Sequence, residues 1–568
     1  MNCRCFLLAA GLGALAASAS PLDELMPEPR RVAASGGNRW LRYGGSCSNP
    51  QDVARGKAFV DRAANAGMNG MTICGIDDLW RWREPAKACL RELKAYADAK
   101  GVRLIPHGWS VGYGAFTGVL PDLVETAPFR DMPFVAEGGR VVSRKDGAAL
   151  ANGSLDEFDL AKNTFRGWRG DHPGLESFVD TNVFHSGRAS VRFEPGPEKD
   201  KYGHARFFRH VDLAPGRRYR FSAWVRGVDV HRTYHPVILQ VYLDGANGNG
   251  APMFAKGQAF REGDHAWHRL TVDFGTGAAK GATLYAGSWN LKGGTFWIDD
   301  LSLEEIGVTA LARRATAPRS LRNAETGRIY EEGRDWTLAK TKPGEEVRMD
   351  IPAGSAIRPG ERLLFDGYMV ARAGPKLQVS TCMSDPRLYE TLKKSAQAIE
   401  EALHPGVWLL SLDEVMNGGT CELCASRKTD MAHIFGDCVT RMRDTIRAVD
   451  PQAEIYAWAD MFDPWHNAKD KIGGFEGSFV GVADLIPEDV GMMFWHGGIL
   501  EKSAPYFAAR KHRFMGSICC DAPDRDRVLK AIRSWREKLS PYPELQGFMY
   551  TTWVENYDRI GLFMRELK

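Results

Sequence analysis

The run Val407-Trp408-Leu409-Leu410-Ser411-Leu412 is almost wholly apolar and closes on two adjacent carboxylates, Asp413 and Glu414. A strand this apolar needs cover on both faces, which selects a parallel sheet packed under helices. Its end then lies at the carboxyl edge of the sheet, where barrels of that kind keep their chemistry. An isolated Asp-Glu would serve as readily to cap a helix. Here the run upstream, Asp385 to Leu403, has apolar residues at three- and four-residue spacing and predicts a helix feeding the strand.

The same rhythm occurs on both sides of a long interruption. Trp40 to Gly45 predicts a first strand, Asn49 to Ala66 a helix, Gly67 to Cys74 a second strand, Glu84 to Lys100 a helix and Gly101 to Trp109 a third strand. A spacing of about 30 residues means parallel strands joined by right-handed crossovers. After Asp385 the pattern resumes, with strands four to eight expected at 407–414, 453–460, 491–496, 513–521 and 545–553. The expected fold class is therefore α/β, a (β/α)8 TIM barrel, with a module inserted into a βα loop.

Between Ser154 and Glu305 the helical period disappears, and short alternating runs are separated by Gly, Pro, Asn and Asp. That pattern predicts a β-sandwich, with strands at 189–193, 219–225, 237–242 and 295–301. His185-Ser186-Gly187-Arg188-Ala189-Ser190, Leu213 to Tyr219 and Trp297-Ile298-Asp299-Asp300 resemble the jelly-roll carbohydrate-binding modules appended to glycosidases. The expected division is 1–20 leader, 30–150 first barrel part, 151–307 sandwich, 308–384 β-rich connector and 385–568 second barrel part.

The predicted strand ends carry Asp413 and Glu414, then Trp458 with Asp460 and Asp463, then Trp495 with His496, then Asp521, then Trp553 with Glu555 and Tyr557. A single tryptophan is more often core. Several at strand ends, beside acids, are what a site needs to hold a sugar ring by its faces while protonating a glycosidic oxygen.

The helix and strand from Asp385 to Glu414, with Trp458-Ala459-Asp460, Trp495-His496-Gly497-Gly498 and Trp553-Val554-Glu555-Asn556-Tyr557, resemble the β-N-acetylhexosaminidases of glycoside hydrolase family 20. The resemblance implies Glu414 as general acid/base and Asp413 orienting the substrate acetamido group, whose oxygen attacks the anomeric carbon. It further implies walls from Trp458, Trp495 and Trp553, and Glu555 accepting from sugar hydroxyls. The family's Gly-Gly before the acids is Ser411-Leu412 here. Cys519-Cys520-Asp521 replaces an expected tyrosine, leaving Tyr550 as substitute, and Arg42 is the nearest match to a sugar-gripping arginine. Two alternatives remain: a retaining glycosidase with Asp521 or Glu555 as nucleophile about 5 Å from the acid, or a non-catalytic polysaccharide-binding protein.

The 74 basic and 71 acidic residues leave a formal charge of +3, with no basic face for nucleic acid, and argue for a small or neutral partner; with the resemblance, an oligosaccharide or polysaccharide is expected. Met1 to Ser20 has the parts of a secretory leader cleaved near Ala19, and no later run is long enough to span a membrane, so an exported protein, periplasmic or extracellular, is expected. Of eleven cysteines, Cys3 and Cys5 leave with the leader and nine remain. Cys421-Glu422-Leu423-Cys424 has zinc-knuckle spacing, but without a second close pair it reads as a staple or plain thiols. Asp460, Asp463 and His466 at a barrel mouth read as partners for sugar hydroxyls. No phosphate-cradling loop, nucleophile elbow or nucleotide fingerprint occurs, so neither metal nor cofactor is expected.

Overall fold

The computed structural model describes residues 37–567 except 146, 148–149, 196–203, 232–236, 245–253, 260–262, 277–278, 289–292, 343–344, 371–377 and 471–476. The leader expected at 1–20 and residues 371–377 of the expected β-rich connector lie outside the described residues. Contacts divide the chain into two compact units, 1–125 with 379–568, and 126–378.

In the first unit eight parallel strands close into a barrel in chain order. They are β1 (Asn38–Leu41), β2 (Gly70–Ile73), β3 (Arg103–Gly108), β4 (Val407–Leu410), β5 (Glu454–Trp458), β6 (Val490–Phe494), β7 (Phe514–Cys519) and β8 (Leu545–Thr551). β8 pairs with β1, Tyr550 opposite Leu41, and closes the ring. The helices are α1 (Pro50–Ala66), α2 (Glu84–Ala99), α3 (Pro386–Leu403), α4 (Glu422–Ser426), α5 (Met431–Arg447), α6 (Leu500–Ala508), α7 (Arg525–Leu539) and α8 (Ile560–Glu566).

This topology corrects the expected regular (β/α)8 barrel. The unit is an all-parallel closed eight-stranded barrel in which the regular strand-then-helix repeat is broken at two connections, β3 to β4 and β5 to β6. Between β3 and β4 the chain makes the whole inserted unit, and between β5 and β6 the described residues hold only a 3₁₀ turn at Val482–Leu485. The physical reason is local: Pro464, Gly477 and Pro487 punctuate that connection and interrupt any helical run among its described residues. The inserted strands also make the described residues strand-rich, 33% strand against 25% helix, the reverse of a helix-wrapped barrel.

Helix boundaries follow their caps. The Asn49 side chain accepts from Asp52 N at the start of α1, Pro50 follows, and Gly67 ends the helix in the left-handed region at φ 82°. Asp385 and Pro386 repeat the start on α3. Along the strands, alternate residues separate two cores. Trp40, Ile105, Leu409, Tyr456, Trp458, Met493, Met515 and Met549 fill the barrel interior. Leu41, Leu104, Trp408, Leu410, Ile455, Ala457, Met492 and Tyr550 face the helical layer.

The second unit holds a sandwich of two five-stranded sheets. One is ordered 263–275, 218–230, 295–306, 190–193, 177–180, the other 254–259, 238–243, 281–288, 205–212, 169–170. Phe193, Phe207, Phe221, Leu239, Leu284 and Phe296 fill the space between them. Residues 308–370 do more than connect. Ser320–Asn323 and Arg362–Val370 join Thr126–Glu137 and Arg140–Ser143 in a seven-stranded sheet around Phe134, Trp336 and Phe365.

Candidate functional site

The acids Asp413 and Glu414 stand just beyond β4, on backbone held in an unusual shape. Leu412 and Glu414 both have positive φ, 52° and 44°, where a side chain crowds the carbonyl and where glycine is the easy residue. A fully buried Leu412 side chain and a bond from Glu414 N to Asp460 Oδ2 at 2.9 Å hold that shape. Gly112 completes the fit: a Cβ there would stand 2.4 Å from the Asp413 carbonyl oxygen, so the turn after β3 can approach only without a side chain. Strained backbone of this kind persists where its surroundings over-determine it, often at functional sites.

That close turn brings partners from β3. Ser110 Oγ donates to Asp413 Oδ1 at 2.9 Å, and the Tyr113 hydroxyl donates to Glu414 Oε2. Behind the pair, the fully buried Asp460 accepts from Glu414 N, from Asn467 Nδ2 at 2.8 Å and from Trp495 Nε1 at 3.4 Å. Three carboxyls in a poorly solvated space resist ionising together. Burial, then the Asp460 charge, raises Asp413 to about 6 and Glu414 to about 7, and burial also raises Asp460. Glu414 is thus poised to hold and give a proton near neutral pH.

The aromatic groups occupy graded positions. Trp458 is buried at the top of the barrel interior, its Nε1 donating to His107 Nε2 at 3.3 Å. Burial and the nearby Arg42 lower His107 to about 3, so the ring is neutral and able to accept that bond. Trp495 is half-buried against His466, ring centres 4.4 Å apart. Trp553 is 52% exposed, 6.3 Å from Trp458 between ring centres, and the guanidinium of Arg42 lies 4.0 Å from its ring centre. The buried Arg42 donates from Nη1 to Thr552 O at 3.0 Å, and its Nε has no hydrogen-bond partner among the described residues.

Other residues selected from the sequence are engaged elsewhere. Asp521 accepts from Thr552 Oγ1 and from Trp553 N at 2.6 Å, so both its oxygens hold the turn that carries Trp553. Glu555 pairs with Arg55 of α1 at 2.9 Å. Tyr550 is fully buried in the helical layer and donates to Asn556 O at 2.5 Å. Asp463 accepts from Trp465 N and Ser503 Oγ. It lines, with Asp460, His466, Trp495 and His496, a cleft of about 10 Å³, the room of one water and too small for a sugar. Burial lowers His466 to about 4.

Sequence reasoning missed Ser110, Tyr113 and His107. All three lie at or just past the end of β3, so the inspection of strand ends applied to strands four to eight would have found them. It also missed Glu125 and Cys382, which join Cys421 and Cys424 in the group of metal-ligating side chains found among the described residues. A cavity of about 540 Å³ in the second unit is lined by Arg130, Arg144, Arg217 and Arg362 with Asp131, a lining suited to an anion rather than to proton transfer.

Residues 147–292 match the family model described as a carbohydrate binding domain, and the chain therefore contains such a domain. Among solved structures the chain is similar to TmCBM61 in complex with β-1,4-galactotriose, at 17% identity, 28% of this chain, 97% of that one and a TM-score of 0.20. It is also similar to the CBM22-1 xylan-binding domain of Paenibacillus barcinonensis Xyn10C, at 16% identity, 29% and 98% coverage and a TM-score of 0.22. A third is a family 16 carbohydrate-binding module, at 22% identity, 26% and 98% coverage and a TM-score of 0.20. No curated protein matches the chain. No described helix is long and apolar enough to cross a membrane.

Proposed function

We propose that this chain is an exported glycoside hydrolase that binds a polysaccharide or oligosaccharide through its sandwich and cleaves a terminal sugar at the barrel mouth. The observation that carries the proposal is Glu414, lifted to about 7 beside a second acid just beyond the end of a parallel barrel strand. Carbohydrate binding by the sandwich rests on the family match. On the outward face of one sheet, Tyr285 contacts Phe208 and Tyr242 at 5.1 Å, with Gln240 and the Arg206–Asp171 ion pair alongside, a mixture of flat rings and hydrogen-bonding groups that suits sugar.

Glu414 donates its proton to the glycosidic oxygen as the bond to the anomeric carbon breaks. The partners of Asp521 and Glu555 favour substrate assistance over a protein nucleophile, since Asp521 accepts from Thr552 Oγ1, Trp553 N and Cys519 Sγ and Glu555 pairs with Arg55. In that route the acetamido oxygen of an N-acetylhexosamine attacks the same carbon while Asp413 accepts from its N–H and balances the oxazolinium charge. Ionised Glu414 then takes a proton from water as the water oxygen bonds to the anomeric carbon and the bond from that carbon to the acetamido oxygen breaks, which restores the acetamido group and frees the hydrolysed sugar.

Aryl glycosides, with N-acetylglucosaminide and N-acetylgalactosaminide included, test this directly. Turnover by the wild type, lost in Glu414→Gln with glycan binding retained, is the expected result. No hydrolysis by the wild type across a broad glycan panel would leave a binding protein. Export is tested by the N-terminus of the protein recovered outside the cytoplasm, expected near Ala19.

A further inference from the structure

Cys382, Cys421 and Cys424 lie far apart in sequence from Glu125, yet the four meet in the barrel unit with every side chain buried. Cys382 Sγ stands 3.3 Å from Cys421 Sγ and 3.9 Å from Cys424 Sγ, and Cys424 Sγ is 3.7 Å from Glu125 Oε2. All four ligand atoms lie within 4.8 Å of one another. A tetrahedral zinc ion with its usual bond lengths keeps sulfur and oxygen ligands about 3.5–3.8 Å apart, so the donors stand at spacings close to those such an ion requires.

The supports of this group are those of a ligand set. Glu125 Oε1 accepts from Cys421 N at 2.8 Å, Thr420 N at 2.9 Å and Thr420 Oγ1 at 3.3 Å, which fixes the carboxyl and turns Oε2 toward the thiols. Cys421 caps α4, and Cys424 N donates to Cys421 Sγ at 3.4 Å, wrapping backbone around the sulfur. Cys382 N is held by Leu123 O at 2.8 Å, just before Glu125.

We propose that Glu125, Cys382, Cys421 and Cys424 bind one zinc(II) ion in a closed tetrahedral site that ties the loop bearing Asp413 and Glu414 to both edges of the insertion. Three sulfurs and one oxygen suit a borderline-soft ion, and four protein ligands leave no open position for substrate, so the metal is structural. Binding takes up Zn²⁺ and releases the thiol protons to solvent. The site stands whether or not Glu414 transfers a proton.

The full chain, produced with zinc in the medium and purified without chelator, should contain close to one zinc per molecule by elemental mass spectrometry. Replacement by cobalt(II) should give the visible bands of a tetrahedral ion together with thiolate-to-metal charge transfer. Glu125→Gln, which keeps all three sulfurs, should lose zinc to a chelator about tenfold or more faster. Cys89→Ser, outside the group, should keep it. A folded wild type with less than a tenth of an equivalent of zinc, a Cys382–Cys421 disulfide in that protein, a cobalt spectrum without thiolate charge transfer, or full zinc retention in Cys382→Ser would each overturn the site.

Discussion

Two adjacent acid pairs interrupt buried backbone in this chain, Asp413-Glu414 past β4 and Asp299-Asp300 within the sandwich strand Thr295–Ile306. Burial raises the first acid of each, Asp413 to about 6 and Asp299 to about 7, and each pair includes a residue at positive φ. What differs is the partners. Asp299 accepts three backbone amides, His185 N at 2.7 Å, Asp300 N at 2.8 Å and Ser186 N at 3.2 Å. The barrel pair meets the hydroxyls of Ser110 and Tyr113, with a third carboxyl behind. A carboxylate committed to amides of its own fold is a fastener, whereas one held by hydroxyls can exchange them for the hydroxyls of a ligand.

The sharpest way to break this contrast is Glu414→Gln, expected to lower kcat by about 10²–10⁴ while glycan binding persists; an unchanged kcat removes the barrel pair from the chemistry. The pH profile comes next. Glu414 acts protonated and Asp413 ionised, so kcat/KM should rise as the pair titrates near 6 and fall about tenfold per unit well above 7. A profile flat from 5 to 9 contradicts that assignment. Trp553→Ala should raise KM about tenfold with little change in kcat, because the exposed ring supplies contact area rather than a proton.

The smallest catalytic effect belongs to the sandwich: Asp299→Asn should leave kcat unchanged and destabilise that domain by about 1–3 kcal/mol, read as a lower Tm. Its pH signature has a definite sign. Because the folded pKa is raised, its stabilising contribution is full at acid pH and is lost as pH rises through about 7, so the Tm difference between pH 5 and pH 8 should shrink in the variant. A fall in kcat matching that of Glu414→Gln would dissolve the distinction between the pairs.

Much of this was legible in the sequence for physical reasons. All eight barrel strands lie where apolar runs end in turn or acid signals, and the sandwich strands follow their alternation. The expected (β/α)8 barrel implied a helix between β5 and β6, where the described residues hold only a 3₁₀ turn and Pro464, Gly477 and Pro487 interrupt the stretch. Tyr550 on β8 and Trp458 on β5 both stand near strand ends, yet the two-residue period of each strand turns Tyr550 to the helices and Trp458 to the interior. Glu125 and Cys382 could not be joined to the Cys421–Cys424 knuckle from spacing, since the inserted unit separates them in the chain.

The chain leaves the barrel unit after Glu125 and returns to it at Val379. Val124 bridges Thr381 in antiparallel fashion, and Glu125 N donates to Ser380 O at 2.7 Å. The two chain ends therefore stand one ladder spacing apart, about 5 Å. Any passenger domain whose termini match that gap could be spliced there without shifting a barrel strand, and a short glycine turn from Glu125 to Val379 should yield a barrel that folds without cargo; failure of that deletion to fold would make the passenger part of the scaffold.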